Sequence, residues 1–527
     1  MTDQHPPSAR EYDVIVIGGG PVGENLAQYA TEDSDLTAAI VEEHLLGGEC
    51  SYYACIPSKA LLRPIDIAGI TTDLPGVVPT GIDRKALLAR RDSWVSDYDD
   101  AGQVSWAEGA GIDVVRGRGR ISGERTVAVT AADGAVTTLR ARRAVVLATG
   151  SEAAIPEPLR EVLPWTSRDA TGAIEVPARL AIIGGGVVAC EAATWMSALG
   201  AEVTMLVRGD ALLRGMEPDA AAAVADSLRE AGVEIRFGAD VAAASRAGAQ
   251  DTGLGRIHGG EVRLEIETRG EGDAQERRAD GERRADEGLR ADEERRTDEG
   301  LRADEGLRAE EGRGDREELR ADEVLVATGR RPRLEDAGLE SIGLTADDVS
   351  GGHLPEWLHA VGDADGGPML THRGKHSARV LGARLRARAL GEAEEPAPPA
   401  VAAVPQVVFT APQVASVGLT AQQARDAGHD VVVSQVPYGG AAGTSLLRDH
   451  VTGTAILVVD RESRLVLGAT FAGPDAAEQL HAATVAIVGQ VPVHVLRHAI
   501  PAFPTGSELW LQLLEQLPRE LRAAPEG

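Results

Sequence analysis

Two cysteines carry the clearest chemistry in this chain. Cys50 and Cys55 stand in the run Gly47-Gly48-Glu49-Cys50-Ser51-Tyr52-Tyr53-Ala54-Cys55-Ile56-Pro57-Ser58-Lys59. That spacing predicts two sulfurs meeting across the first turn of a helix. A thiol at a helix N-terminus has its thiolate stabilised, which is what thiol–disulfide exchange needs. Zinc is the alternative for paired cysteines, but no second pair or nearby histidine completes four ligands. A structural disulfide is a further alternative, although a chain of 527 residues needs no such staple. The third cysteine, Cys190, has no partner in sequence and reads as a small packed hydrophobe.

Two glycine turns offer phosphate-binding chemistry. Tyr12 to Ile17 is an apolar, β-branched run that ends in Gly18-x-Gly20-x-x-Gly23 and opens a helix from Pro21 to about Thr31. A second apolar run, Leu36 to Val41, ends at Glu42, so the unit reads strand, turn, helix, strand. The first glycine permits the sharp turn, the second lets backbone approach a pyrophosphate, and the third allows close helix–strand packing. The helix N-terminus presents free N–H groups to the phosphates, and Glu42 can accept from ribose hydroxyls. The pattern recurs as Gly184-x-Gly186-x-x-Ala189, ahead of a helix to about Leu199 and a strand from Glu202 to Val207. There the acid is replaced by Val207-Arg208, with Arg214 shortly after. Arginine can pair bidentately with a 2′-phosphate, so NADP(H) is expected over NAD(H), which stays possible.

The elements that must position these residues are legible in outline. At about 150 residues per domain the length suggests three or four domains. Hydrophobic residues make up 43% and aromatics only 3%, so the cores must rest on Ala, Val, Leu and Ile. A formal charge of −29 argues against general binding to nucleic acid or an anionic membrane. Met1 to Arg10 shows no apolar signal region, and no stretch reaches the ~18 apolar residues of a membrane span, so the cytoplasm is the expected location. From about Arg269 to Glu323 the composition shifts, with Arg-Ala-Asp-Glu-Gly-Leu recurring at period six between Leu289 and Gly312. Neither helix nor strand has that period, so this segment is expected to be a solvated low-complexity insertion, with order resuming at Val324. A Pro/Ala/Glu linker, Gly391 to Pro405, precedes a final αβ domain.

Taken together, the cysteine run resembles the redox signature of the class I pyridine nucleotide–disulfide oxidoreductases, the family of dihydrolipoamide dehydrogenase and glutathione reductase. Ala148-Thr149-Gly150 and Ala327-Thr328-Gly329 resemble the family's strand-end turns, and Val361-Gly362-Asp363 its second FAD motif. Phe409-Thr410-x-Pro412 with Val417-Gly418-Leu419-Thr420 resembles the start of its dimerisation domain. The resemblance implies an α/β fold: two Rossmann-like three-layer domains and a C-terminal α+β dimerisation domain. The implied boundaries are 10–165 and 331–398 for FAD, 166–330 for NAD(P) and 406–520 for dimerisation. Cys55 would be the charge-transfer thiol against the flavin and Cys50 the interchange thiol. Lys59 would lie near flavin N5, paired with Glu191. Gly18, Gly20, Gly23, Glu42, Gly48, Thr149, Gly150 and Asp363 would hold FAD, while Gly184, Gly186, Ala189, Arg208, Arg214 and Gly329 would hold the nicotinamide nucleotide. The only lysines are Lys59, Lys85 and Lys375, and keeping one here fits a role guanidinium cannot fill.

One position breaks the family pattern. Where its disulfide reductases supply His-Pro-Thr-x-x-Glu to the partner subunit's active site, this chain has Phe503-Pro504-Thr505-Gly506-Ser507-Glu508. Glu508 is kept, but phenylalanine cannot carry a proton. His498 lies five residues earlier, with Pro501 intervening and Pro504 directly after Phe503. Val187 stands where several relatives place an aromatic lid over the nicotinamide. The leading expectation is a homodimeric FAD-dependent NAD(P)H–disulfide oxidoreductase that passes electrons through Cys50 and Cys55 to an acceptor, a small-molecule disulfide or a quinone. The alternative is a reductase of quinones or other electrophiles that uses the flavin directly. A flavin-binding redox sensor with the acidic insertion as its arm is a third reading.

Overall fold

A computed structural model describes residues 9–268, 316–397, 399 and 403–524. Its first sheet runs Ile112–Arg116, Ala38–Glu42, Arg10–Ile17, Val136–Leu147, Thr126–Thr130, Arg118–Gly123 in spatial order. The first four strands are parallel and the last two join as antiparallel hairpins. Val136–Leu147 is long enough to serve two neighbours on one side. Its first half pairs with Thr126–Thr130 and its last residues with Leu358–Ala360, which returns from far along the chain. Chain order reverses between Arg10–Ile17 and Val136–Leu147, and the first glycine turn opens at that switch point, where open α/β sheets bind ligands.

A second parallel sheet runs Glu234–Phe237, Glu202–Val207, Arg179–Ile183, Glu323–Val326. Beside it lies an antiparallel sheet of Ala239–Arg246, Val262–Thr268 and Arg316–Ala321. A two-stranded ladder, Ser151–Ala153 with Arg330–Pro332, connects the two halves. The C-terminal region is a five-stranded antiparallel sheet with the helices Leu480–Val488 and Glu508–Gln516 packed on it.

The insertion expected over 269–323 ends sooner than its composition implies. Arg316–Ala321 is a strand paired with Val262–Thr268, and Glu323 already begins the next one. Leu319 and Ala321 supply the inward face, and the charges are absorbed by cross-strand pairs such as Arg316 with Glu267 at 2.6 Å. Glu323 itself is fully buried against Arg246. Residues 269–315 lie outside the described part.

The core that matters for the site spans two regions. Leu61 and Leu62 of the helix Cys55–Thr72 pack with Ala189, Ala192 and Ala193 of the helix Val187–Ala198. Small residues on the second helix let the two approach, and that approach brings the ends of Lys59 and Glu191 together. As the composition implied, the buried set is mostly Ala, Val, Leu and Ile, with Trp165 and Trp195 as its largest members.

Candidate active site

Cys50 sits on a short helix, Gly48–Tyr52, and Cys55 is the first residue of the helix Cys55–Thr72. The pair therefore spans a break between two helices, not one helical turn as the spacing suggested. Tyr53 and Ala54 leave helical geometry (φ −133° and −139°) and fold the chain back. Cys55 still gains the N-terminal position that favours its thiolate. Both sulfurs are unbridged and half-buried.

A residue not singled out in the sequence joins them. Thr371, the first residue of the helix Thr371–Leu390, donates to Cys50 Sγ at 3.3 Å and lies 3.4 Å from Cys55 Sγ. The thiol pair is strongly polarised. A hydrogen bond from Cys50, with help from Thr371 and the Lys59 charge, outweighs burial and lowers Cys55 to about 6. The same bond, followed by burial, pushes Cys50 upward. One proton held on Cys50 and a thiolate on Cys55 is the arrangement these forces favour.

Lys59 Nζ reaches Glu191 Oε2 at 2.8 Å and Oε1 at 3.1 Å. Glu191 is 4% exposed, and the Phe409 amide also donates to it at 3.0 Å. The ammonium lies 4.7 Å from the Phe409 ring centroid. A buried carboxylate satisfied on both oxygens fixes where the Lys59 charge sits.

These groups line one cleft of about 400 Å³ that also takes in Gly18, Gly20, Glu42, Gly48, Thr149, Gly150 and Asp363. The cleft fits a dinucleotide. Gly18 has φ +107°, and a Cβ there would lie 2.2 Å from the Ala148 carbonyl oxygen. A Cβ at Gly23 would lie 2.1 Å from Gly18 O. Only glycine lets strand, turn and helix come this close. Glu42 Oε2 accepts from the Gly19 amide at 2.7 Å, which aims the carboxylate at the turn. Thr149 Oγ1 is buried with no partner in the protein, as an atom awaiting a ligand would be. Asp363 accepts from Ser151 Oγ, and among the described residues no hydrogen bond reaches its other carboxylate oxygen.

The second turn repeats the geometry: Gly184 has φ +128°, and a Cβ there would meet Ala327 O at 2.4 Å. Gly186 and Gly329 have open space above them, and Ala189 is buried in the helix behind. Arg208 is exposed at the strand end, while Arg214 pairs with Asp210 at 2.9 Å, an acid not weighed in the sequence reading. Val187 lines the main cleft without covering it.

Not every expected residue converges. Phe503 is 77% exposed, and neither it nor Glu508 or His498 lines the cysteine cleft of the same chain. Glu508 instead reaches the Gly443 amide at 3.4 Å. Besides Thr371, sequence reasoning passed over Arg330. It binds Glu49, which precedes Cys50, and donates to Ser151 Oγ and O at 2.7 Å each. Its place directly after Gly329 was the one available cue. No helix among the described residues is long and apolar enough to cross a membrane.

Comparison with known proteins agrees with this geometry. Residues 12–274 match the pattern of the pyridine nucleotide-disulphide oxidoreductases, and 404–513 that of their dimerisation domain. A dihydrolipoyl dehydrogenase of Haloferax volcanii is 30% identical, covering 95% of each chain. A mercuric reductase of Staphylococcus aureus is 28% identical over 94% of this chain and 81% of its own. Among solved structures, LpdA from Mycobacterium tuberculosis superposes with TM-score 0.73 at 20% identity, covering 96% of this chain and 99% of that one. The HOCl-induced flavoprotein disulfide reductase RclA from Escherichia coli, in its Cu(II) complex, gives 0.71 at 21%, covering 97% and 100%. The chain belongs to the pyridine nucleotide-disulphide oxidoreductase family, as an FAD- and pyridine nucleotide-dependent enzyme similar to the dihydrolipoyl dehydrogenases.

Proposed function

We propose that this enzyme passes two electrons from NADPH, through FAD, to the Cys50–Cys55 disulfide and from there to a small-molecule disulfide. The observation that carries the reading is the convergence of the polarised thiol pair and the Lys59–Glu191 ion pair on one dinucleotide-shaped cleft. FAD, when bound, supplies two-electron transfer between nicotinamide and disulfide. Gly18, Gly20, Gly23, Glu42, Gly48, Thr149, Gly150 and Asp363 hold it, on the regions 10–165 and 331–398. Glu191 fixes the Lys59 ammonium at the flavin. Opening the disulfide consumes two electrons and one proton: the S–S bond breaks, Cys55 leaves as thiolate and Cys50 as thiol.

Gly184, Gly186, Ala189 and Gly329, in the region 166–330, receive the nicotinamide nucleotide. With Arg214 tied to Asp210, Arg208 is the guanidinium left for a 2′-phosphate, which supports NADPH over NADH. The region 406–520 pairs two copies and lends Glu508 to the partner subunit's cleft.

Phe503 favours a second reading, in which the acceptor is a quinone or another electrophile that needs no thiol interchange. A positioned acid/base typically contributes about 10²–10⁴-fold, and phenylalanine contributes none of it. The test is Cys50→Ser in the holoenzyme, assayed with disulfides and quinones using NADPH and NADH. Under the disulfide reading, disulfide turnover falls by at least a hundredfold. Turnover that survives the substitution assigns the flavin as the direct donor.

A further inference from the structure

Tyr53 lies between the two cysteines, and three contacts hold it. Its ring stacks with Tyr98 at a centroid separation of 5.5 Å and an interplanar angle of 26°. The Arg168 guanidinium lies 4.1 Å from the same ring centroid. Its carbonyl accepts from Thr171 Oγ1 at 2.8 Å. Arg168 and Thr171 belong to one short helix, Ser167–Thr171, outside the cysteine-bearing segment.

Tyr98 reaches that ring through an unfavourable backbone. Ser96, Asp97 and Tyr98 have φ of 52°, 51° and 63°, three successive non-glycine residues in the left-handed region. Such conformations persist only where the surroundings impose them, and they concentrate at functional sites. The Tyr98 hydroxyl is buried with no partner, so the residue is there for its ring. Arg168 has no carboxylate partner among the described residues, and its Nε is buried without an acceptor. Among the described residues the Tyr98 hydroxyl and the Arg168 Nε thus go without a hydrogen-bond partner while their side chains grip one tyrosine.

We propose that Tyr53, gripped by Tyr98 and Arg168, is a positioning residue that sets the reduction potential of the Cys50–Cys55 couple. The inference rests on the disulfide reading above. Forming the disulfide joins the Cys55 thiolate and the Cys50 thiol of one loop, with two electrons and one proton leaving them; its equilibrium follows how often the sulfurs meet. A loop held still keeps both sulfurs within reach of the Thr371 hydroxyl, which favours the oxidised form and lowers the potential. Loosening the grip frees the reduced loop and makes the disulfide easier to reduce.

The experiment equilibrates holoenzyme with dithiothreitol buffers and follows thiolate–flavin charge-transfer absorbance, in the parent and in Tyr53→Leu and Arg168→Gln. Both variants are expected to shift the thiol–disulfide equilibrium about tenfold toward the dithiol, which is about 30 mV for a two-electron couple. If one variant fails to retain FAD, the other decides. Equilibrium constants within twofold of the parent's overturn the proposal. A fall in potential in Arg168→Gln also overturns it, because the arginine would then be acting through its charge on the thiolate. A parent protein that shows no charge-transfer band on reduction would overturn the disulfide reading itself, an outcome distinct from unmoved variants.

Discussion

Thr371 lies against both cysteines, whereas Phe503 stands apart from their cleft in the same chain. Phe503, at the position where the family resemblance expects a histidine, has no group that can carry a proton. Thr371 stabilises whichever sulfur bears charge, because its hydroxyl lies within 3.4 Å of both. A hydroxyl can donate but is not a base at neutral pH, so it lowers a thiol pKa without moving the proton. The sign follows from the Cys55 shift. With its pKa lowered to about 6, Cys55 stays a thiolate above that pH and is protonated below it. Charge-transfer absorbance of the two-electron-reduced enzyme should therefore be half lost near pH 6. In Thr371→Val the thiolate loses one donor, and the half-point should move up by roughly one pH unit, since one unit is about 1.4 kcal/mol and a hydrogen bond to a charged group contributes about that much. A spectroscopic pH titration measures both. An unchanged half-point in the variant would mean that the Thr371 contact is incidental. Thr371 was illegible in the sequence because no motif encodes it; only the packing of a distant helix start against the cysteines puts it there.

The helices at the first glycine turn show a different tension. Glu24 lies in the first turn of the helix Pro21–Thr31, against the helix Thr371–Leu390 that carries Lys375. Burial raises Glu24 to about 7, opposed by the Lys375 charge and reinforced by Glu42, and its Oε1 has no partner. A carboxyl raised in the folded state binds its proton more tightly there than when unfolded. Its stabilising effect is thus complete below the unfolded value near 4.5 and is lost as pH rises through about 7. Glu24→Gln should raise the unfolding free energy at pH 8 by on the order of 2–3 kcal/mol, and the advantage should disappear below about pH 4.5. Thermal unfolding of parent and variant at the two pH values checks this. The element that carries Glu24 was readable from its glycines and apolar spacing. The burial of Glu24 was not, since it depends on a helix that follows some 350 residues later.

At the level of the whole chain, local patterns such as the two glycine turns, the strands after them and the helix from Cys55 stand where spacing put them. What escaped the sequence was long-range. Arg316–Ala321 pairs with Val262–Thr268 as a strand, although the composition of its residues reads as solvated. In that strand alternation survives in few residues, Leu319 and Ala321, and a charged outer face hides it. Glu323 and Arg246, both fully buried, anchor the end of this sheet, and the His258 amide also donates to Glu323 at 2.9 Å.

That antiparallel sheet has a consequence for how the gene can change. Glu267 and Arg316 are direct partners on adjacent strands, so the chain leaves and re-enters the fold at neighbouring points. Whatever lies between them is grammatically a parenthesis: it can lengthen, shorten or be replaced while both strands keep their register. Replacing 268–315 by a two-residue Asn-Gly turn between the paired Glu267 and Arg316 should leave FAD content and NADPH-driven reduction within about twofold of the parent. Loss of bound FAD in that deletion would show that the excised stretch supports the flavin cleft. A hexapeptide repeat could expand here over generations without the catalytic centre registering it.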